Sequence, residues 1–397
     1  MACSSLEIAI VGAGTAGPAA AIFLSRAGHR VRLFERAPVN LPVGAGFLLQ
    51  PTGMRVLAEL GLLEALLPQT QVIRRLHCLD RRERALLDLH YTDVAEGLHG
   101  AGTHRATLLN LLLGAAEAGG ASVQWNRPIT RLERDADGRC RLIDAQGGEE
   151  GPFDLVLLCD GAQSALRAQS GIPCKATRYP WGALWFIGRR PPELAAHTLW
   201  QRVGSTRELV GFLPTGTKDD LVSLFWSIRL DRVAAWREGN LDTWKREVLA
   251  LAPQAAGLLD QIASPAQLSV AAYHDVRMRR WNNDRVAVLG DAGHALSPQL
   301  GQGVNLALMD AAELAKALRE ESLLEAALNR YSARRKAHLG FYQLATRWLT
   351  PLFQSDATAL GHLRDFALPL AQRIPWVRRQ MILTMAGYKT GVFGCQR

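Results

Sequence analysis

The sequence predicts an α/β fold: a mainly parallel, Rossmann-like sheet that carries an inserted, mainly β domain and ends in a helical C-terminal segment. Three observations predict it. Short apolar runs at 6–11, 154–159 and 285–289 each break off at a glycine-containing turn, and near-continuous apolar runs suit parallel strands covered on both faces. The stretch 173–275 holds aromatic-rich runs, WGALWFI, LVGFLP and LVSLFWSI, that read as strands. From Trp348 onward the chain reads as helices, with breaks expected at Pro351, Pro369 and Pro375.

The 397 residues are 48% apolar and 21% charged, a balance that excludes disorder and small cysteine-stapled scaffolds. No apolar run approaches the ~18 residues that span a bilayer. The N-terminus lacks the basic start and apolar stretch of a secretory leader, so a cytoplasmic location is expected. Cys3, Cys78, Cys140, Cys159, Cys174 and Cys395 are scattered, without a C-x-x-C pair, which points to free thiols and to no metal site. The net charge is +9, with 46 lysines and arginines of which only six are lysine. The arginines come as dispersed pairs rather than as one stripe, which argues against nucleic acid and suits anionic small molecules.

The elements follow in order. LEIAIV (6–11) is a buried strand, GAGTAG supplies Gly12, Gly14 and Gly17, an Ala-rich helix runs over 18–27, and RVRLF (30–34) alternates as a second strand closed by Glu35 and Arg36. This is the G-x-G-x-x-G fingerprint in its required strand–turn–helix–strand context. Gly12 permits the tight turn, Gly14 admits a pyrophosphate to the backbone, and Gly17 lets the helix pack on the strand. The helix N-terminus offers unpaired N–H groups to phosphate. Glu35, about 20 residues on, is placed to accept from ribose hydroxyls. The motif alone leaves NAD, NADP and FAD open. The run 154–159 ends at Asp160-Gly161, and 285–289 ends at Gly290-Asp291, ahead of a Pro/Gly loop. A helix is expected from Val304, with Leu308, Ala311, Leu314 or Ala315, and Leu318 on its apolar side and Asp310, Glu313 and Lys316 facing elsewhere.

These three motifs, with Pro298-Gln299-Leu300-Gly301-Gln302-Gly303-Val304-Asn305, the segment Gly44–Gly53 and the His104–Leu108 helix start, resemble those of the class A flavoprotein monooxygenases, the para-hydroxybenzoate hydroxylase-like family. The matches run from about residue 6 to residue 340. The resemblance implies a FAD-binding domain of glutathione-reductase type at 1–75, 100–172 and 276–345, a substrate-binding domain at 76–99 and 173–275, and a helical segment at 346–397. It implies FAD held by Gly12, Gly14, Gly17, Glu35, Arg36, Arg105, Asp160, Asp291, Gly301, Gly303, Val304 and Asn305. Pro298 and Gly303 belong to the loop that faces the flavin, with no acid or base assigned. Oxygen from O2 would enter the substrate through a flavin C4a-hydroperoxide that the protein must shield from water.

Trp181, Trp185, Phe212, Phe225 and Pro298 are the expected walls for an apolar, aromatic small molecule, free or carrier-tethered. No second G-x-G-x-x-G follows a strand, so NADPH or NADH is expected to bind transiently. Some family members carry an arginine after the second strand, and 40–46 (NLPVGAG) has none, so a partner flavin reductase stays open as the donor. A monomer or homodimer is expected. Arg373, Arg378, Arg379 and Lys389 form a basic tail face, open to solvent, a dimer partner or transient membrane contact. Three rival readings stay open. A flavin-dependent halogenase needs an N-terminal pocket lysine and a Trp-x-Trp-x-Ile-Pro motif, whereas the first lysine here is Lys175. A flavin-dependent reductase of isoprenoid double bonds would consume no oxygen. A non-catalytic flavin-binding protein would show no substrate-stimulated NAD(P)H oxidation.

Overall fold

The computed structural model describes residues 5–39, 45–216 and 220–395. Its central sheet has six strands in the order Asn282–Asn283, Val286–Val288, Leu155–Leu158, Glu7–Val11, Arg30–Phe34, Ser122–Gln124. All neighbours are parallel except the two-residue edge strand Asn282–Asn283. The chain leaves Glu7–Val11 in one direction through Arg30–Phe34 to Ser122–Gln124, and later adds Leu155–Leu158 and Val286–Val288 on its other side. That reversal is a topological switch point, where open α/β sheets leave a crevice beyond the carboxyl ends of the strands.

Both faces of this sheet are covered, which is why its strands read as apolar runs: Ile8, Ala9, Ile10, Leu155, Val156, Leu157 and Val286 are all fully buried. Helices Ala16–Arg26 and Gly303–Glu320 pack against each other over it. The first helix starts two residues earlier than the sequence suggested. Pro18 sits in its first turn, where a missing N–H leaves no hydrogen bond unmade. The antiparallel strands Ile129–Arg134, Cys140–Asp144 and Glu149–Phe153 form a separate small sheet, and Phe153 meets Phe34 edge-on at 6.0 Å.

The second large sheet runs Ser269–Met278, Cys174–Arg189, Leu221–Arg229, Leu209–Pro214, Thr198–Val203, Arg75–Asp80, Ala85–His90. It is antiparallel apart from the pairing of Thr198–Val203 with Arg75–Asp80. One face buries Leu184, Phe186, Phe212, Leu224 and Trp226 beneath helix Leu241–Leu251. The other face meets a three-stranded connecting sheet, Gly46–Leu49, Gly100–His104 and Gln71–Ile73. Gly102 has to be glycine there, because a Cβ would lie 1.8 Å from the Pro214 carbonyl oxygen.

The tail differs in detail from its expectation. Helix Leu324–Phe353 continues two residues past Pro351, and Pro369 likewise lies inside the last turn of Thr358–Ala371. Pro375 opens helix Pro375–Met385 at its first turn. A proline near a helix end removes only one bond of the ladder, so the helix stops shortly after it rather than at it. Among the described residues no helix is long and apolar enough to cross a membrane.

Candidate active site

Three adjacent parallel strands end side by side, and each carries one motif at its carboxyl end. Gly12 follows Glu7–Val11, Asp160 follows Leu155–Leu158, and Gly290-Asp291 follows Val286–Val288. Their closeness is steric fact. Gly12 has φ +107°, and a Cβ on it would lie 2.4 Å from the Cys159 carbonyl oxygen. A Cβ on Gly17 would lie 2.1 Å from the Gly12 carbonyl oxygen, so this glycine sets how closely the helix approaches the strand. Gly14 differs: a Cβ there meets nothing within 4 Å. Nothing in the polypeptide demands a glycine at 14, which is what a cradle kept open for a ligand looks like. Helix Ala16–Arg26 has no side-chain cap at its N-terminus, and its first N–H groups are free to bind an anion.

Glu35 braces this turn. Its carboxylate accepts from Ala13 N at 2.7 Å and from Ala37 N at 2.9 Å, and each oxygen retains a lone pair for a hydroxyl. Arg36 beside it is exposed. Arg105 opens helix Arg105–Ala118 with its side chain exposed. Asp160 is partly buried, and its Oδ1 has no hydrogen-bond partner among the described residues. Burial pushes its carboxyl above the ordinary aspartate range, against a hydrogen bond from Ser164 and the charge of Arg167. An orphaned buried acceptor at the mouth of this crevice is a fit for a polar ligand group.

On the third strand end, Gly290 has φ +61°, and the exposed Asp291 begins a short helical turn. Asp291 Oδ1 lies 3.7 Å from where a Gly303 Cβ would stand. Gly301 is left-handed at φ +61° with open space where a Cβ would point. Helix Gly303–Glu320 starts without a side-chain cap, so the N–H groups at its start, including those of Gly303 and the half-buried Val304, are available to an acceptor. The Asn305 side chain is not: Oδ1 accepts from Gln50 N at 2.8 Å, and Nδ2 donates to the Leu48 and Gly301 carbonyls. The side chain clips the loop to the Gly46–Leu49 strand instead, so only the backbone N–H of Asn305 is left to meet a cofactor.

The loop Pro298–Leu300 is tied to the second sheet. Gln299 Nε2 donates to Gln354 Oε1 at 2.9 Å, and Gln354 Nε2 donates to Ser227 Oγ at 2.8 Å and to the Gly182 carbonyl at 3.1 Å. Ser227 pairs with Ala183, and Phe225 with Trp185, so by strand alternation these side chains share the face that looks at the loop. The Trp185 and Phe225 rings lie 5.2 Å apart on it. Trp181 is on the same side by register and is buried. Phe212 is not. It pairs with Leu224, stacks on Trp200 at 5.5 Å and is 1% exposed in the opposite core, which removes it from the substrate walls. Pro298 is exposed at the start of the loop.

Sequence reasoning missed the support beneath this loop. Asp310, expected to face outward, is fully buried. Its Oδ2 accepts from Gly290 N at 2.8 Å and from His294 Nε2 at 2.5 Å, and its Oδ1 accepts from Arg335 Nε at 2.7 Å. Burial alone would raise this carboxyl; the charges of His294 and Arg335, with the two hydrogen bonds, outweigh burial and bring it to about 2. Arg167, also buried, donates to the Ala292 and Ala162 carbonyls and so links the second motif to the third. A polar residue among helical apolar positions, with a histidine and an arginine elsewhere, was the only available signal. The segment 40–44, inspected for a donor-binding arginine, lies outside the described residues.

A family model described as a FAD binding domain matches residues 5–340. Kynurenine 3-monooxygenase of Salinispora arenicola is 31% identical, over 84% of this chain and 76% of its own. The 2-heptyl-3-hydroxy-4(1H)-quinolone synthase of Mycobacteroides abscessus is 30% identical, over 83% and 85%. The chain belongs to the FAD-dependent class A flavoprotein monooxygenases. The crystal structure of Klebsiella pneumoniae HpxO complexed with FAD and uric acid has the same fold, at a TM-score of 0.81 and 24% identity, covering 95% of this chain and 97% of HpxO. FAD is the cofactor of this class A monooxygenase, and the open Gly14 cradle, the orphaned Asp160 acceptor and the two uncapped helix starts fit it.

Proposed function

We propose that this monooxygenase hydroxylates or epoxidises an apolar aromatic small molecule seated between the Pro298–Leu300 loop and the sheet face that carries Trp181, Trp185 and Phe225. The observation that carries the reading is the tether from Gln299 through Gln354 to Ser227, which faces the loop at the mouth of the strand crevice with an aromatic wall. The relatives named for kynurenine and a quinolone support an aromatic substrate.

FAD, when bound, supplies the activation of oxygen. The residues of this chain hold and shield it. Gly12, Gly14 and Gly17 with the Ala16–Arg26 helix start receive the pyrophosphate, Glu35 with Arg36 receives the adenosine end, and Arg105, Asp160 and Asp291 receive hydroxyl and phosphate groups between. The Gly301 N–H is committed to the Pro298 carbonyl, so the free backbone N–H groups at Gly303, Val304 and Asn305 are the ones that would stabilise negative charge on bound flavin. Trp185, Phe225 and Pro298 exclude water from the reacting centre. NADPH or NADH serves as transient reductant to a cytoplasmic monomer or homodimer.

The test is a panel of monocyclic and bicyclic nitrogen aromatics offered to the FAD-loaded protein with each nicotinamide in turn. At least one compound should accelerate nicotinamide oxidation and yield a product heavier by one oxygen atom. A product with a reduced double bond and no oxygen uptake would overturn the reading in favour of a reductase.

A further inference from the structure

We propose that the C-terminal helices and the cleft beside them form a docking surface for an anionic phospholipid bilayer. Helix Thr358–Ala371 turns Gly361 and Arg364 inward, the only two of its residues that are buried. Its outward side presents Leu363, Phe366 and Leu370, spaced i, i+3 and i+7, with Phe366 70% exposed. The ridge continues through Ile374 and Trp376 at the start of the next helix. The Trp376 ring lies 6.2 Å from that of Phe393, and both are exposed. A stripe of this kind is unusual on a water-facing helix, and its aromatic content is what interfacial helices use at the headgroup level.

Charge decides between occupants. Over 358–385 the sequence holds four arginines and one acid, Asp365. That acid is paired with the inward Arg364, while Arg373, Arg378 and Arg379 are exposed. Phe366 and Leu370 also line a cleft of about 1040 Å³ against the hairpin Arg75–Asp80 and Ala85–His90. The acids of this cleft are committed: Asp80 to Arg84, Asp88 to Arg75, Asp93 to Arg378. Among the described residues the Arg82 and Arg373 side chains have no ion pair. The cleft therefore keeps uncompensated positive charge beside the apolar ridge. A second copy of the chain would bring like charges together. An anionic bilayer supplies acyl chains for the ridge and phosphates for the arginines at once, and the net charge of +9 adds long-range attraction. Lys389, expected to belong to this basic face, does not: it is buried, and its Nζ donates to Gln380 Oε1 and the Val392 carbonyl.

The experiment is co-sedimentation of the FAD-loaded protein with vesicles of phosphatidylcholine alone or with about 30% phosphatidylglycerol. Binding to the anionic vesicles only, reversed by about 0.5 M sodium chloride, is the expected result. A Phe366→Asp, Trp376→Asp double variant should lower partitioning about tenfold or more, and an Arg373→Glu, Arg379→Glu pair should do the same, each with unchanged FAD absorbance. Equal binding to neutral vesicles, no binding to either, or variants that bind like the parent would each overturn the proposal. So would a concentration-dependent dimer that Phe366→Asp dissociates in a protein that ignores vesicles, which would give the ridge to a second copy.

Discussion

At the scale of single residues, the three fingerprint glycines do different things, and the difference can be measured. Gly12→Ala forces a side chain into a positive-φ turn and within 2.4 Å of a backbone oxygen, so it should destabilise the protein itself, whether or not FAD is present. Gly14→Val adds atoms where the polypeptide has none. The apoprotein should therefore melt within about 2 °C of the parent apoprotein, yet emerge colourless and fail to retain added FAD. Thermal melts alongside flavin absorbance separate the two cases, and a Gly14→Val protein that keeps its FAD would show that the pyrophosphate lies elsewhere. Asp160 carries a second contrast. A carboxyl raised by burial above its unfolded value destabilises the fold at neutral pH. Asp160→Asn removes that burden, so the apoprotein should melt at a higher temperature than the parent. The same substitution removes the charge and exchanges one of the two acceptor oxygens for an N–H donor where Oδ1 is unpartnered, so FAD affinity, read by fluorescence titration, should fall. Stability and affinity moving together would mean that Asp160 is only a turn residue.

At the scale of elements, the faces of one sheet divide aromatic residues into wall and core. Phe225 and Phe212 sit on neighbouring strands, Leu221–Arg229 and Leu209–Pro214, but on opposite faces. Phe212→Ala should cost about 3–5 kcal/mol of stability in urea melts, with the Michaelis constant for an accepted substrate unchanged. Phe225→Ala should raise that constant and increase uncoupled peroxide release, because water then reaches the reacting centre. The reverse pattern would exchange the two roles. This division was not legible in the sequence: alternation tells which residues share a face, and only the pairing of strands and the helix Leu241–Leu251 laid over one side tell which face is which. The parallel strands were legible, because burial on both sides leaves a local signature, the apolar run ended by a glycine turn. Asp310 was misread for the converse reason. Its helix position faces inward beside apolar neighbours, and the partners that make burial tolerable, His294 and Arg335, come from the short helical turn Asp291–His294 and from another helix.

At the scale of the whole molecule, one buried polar chain joins the turn at Gly290 to the C-terminal segment at Gly387. Asp310 binds Gly290 N and Arg335; Arg335 Nη1 meets His338 Nδ1 at 2.8 Å; His338 Nε2 meets the Gly387 carbonyl at 2.9 Å. Gln302, at the start of helix Gly303–Glu320, donates to the Met385 carbonyl at 2.6 Å. The tail thus braces the loop from behind. Arginine has only donors, so His338 Nδ1 must accept, and Nε2 carries the proton that Gly387 receives. That fixes a neutral ring, and burial with the Arg335 charge holds its pKa down at about 3. The folded value lies below the ordinary 6.5, so this contribution to stability is whole above about pH 6.5 and is lost as pH falls toward 3. At pH 5 the loss relative to pH 7 is on the order of 2 kcal/mol. Asp310, at about 2 against an ordinary 3.8, adds its own loss only below about pH 4, so the two groups act in separate windows. Urea midpoints measured from pH 7 to 5 should fall for the parent protein, with FAD fluorescence rising over the same interval as the tail releases the Gln302 and Gly290 supports. His338→Gln keeps an acceptor and a donor but cannot take up the proton. It should start less stable at pH 7 and then fall less than the parent to pH 5, the remaining slope coming from His29, His77, His104 and His274, which burial also lowers; a variant that follows the parent curve would place the acid-sensitive group somewhere other than this junction.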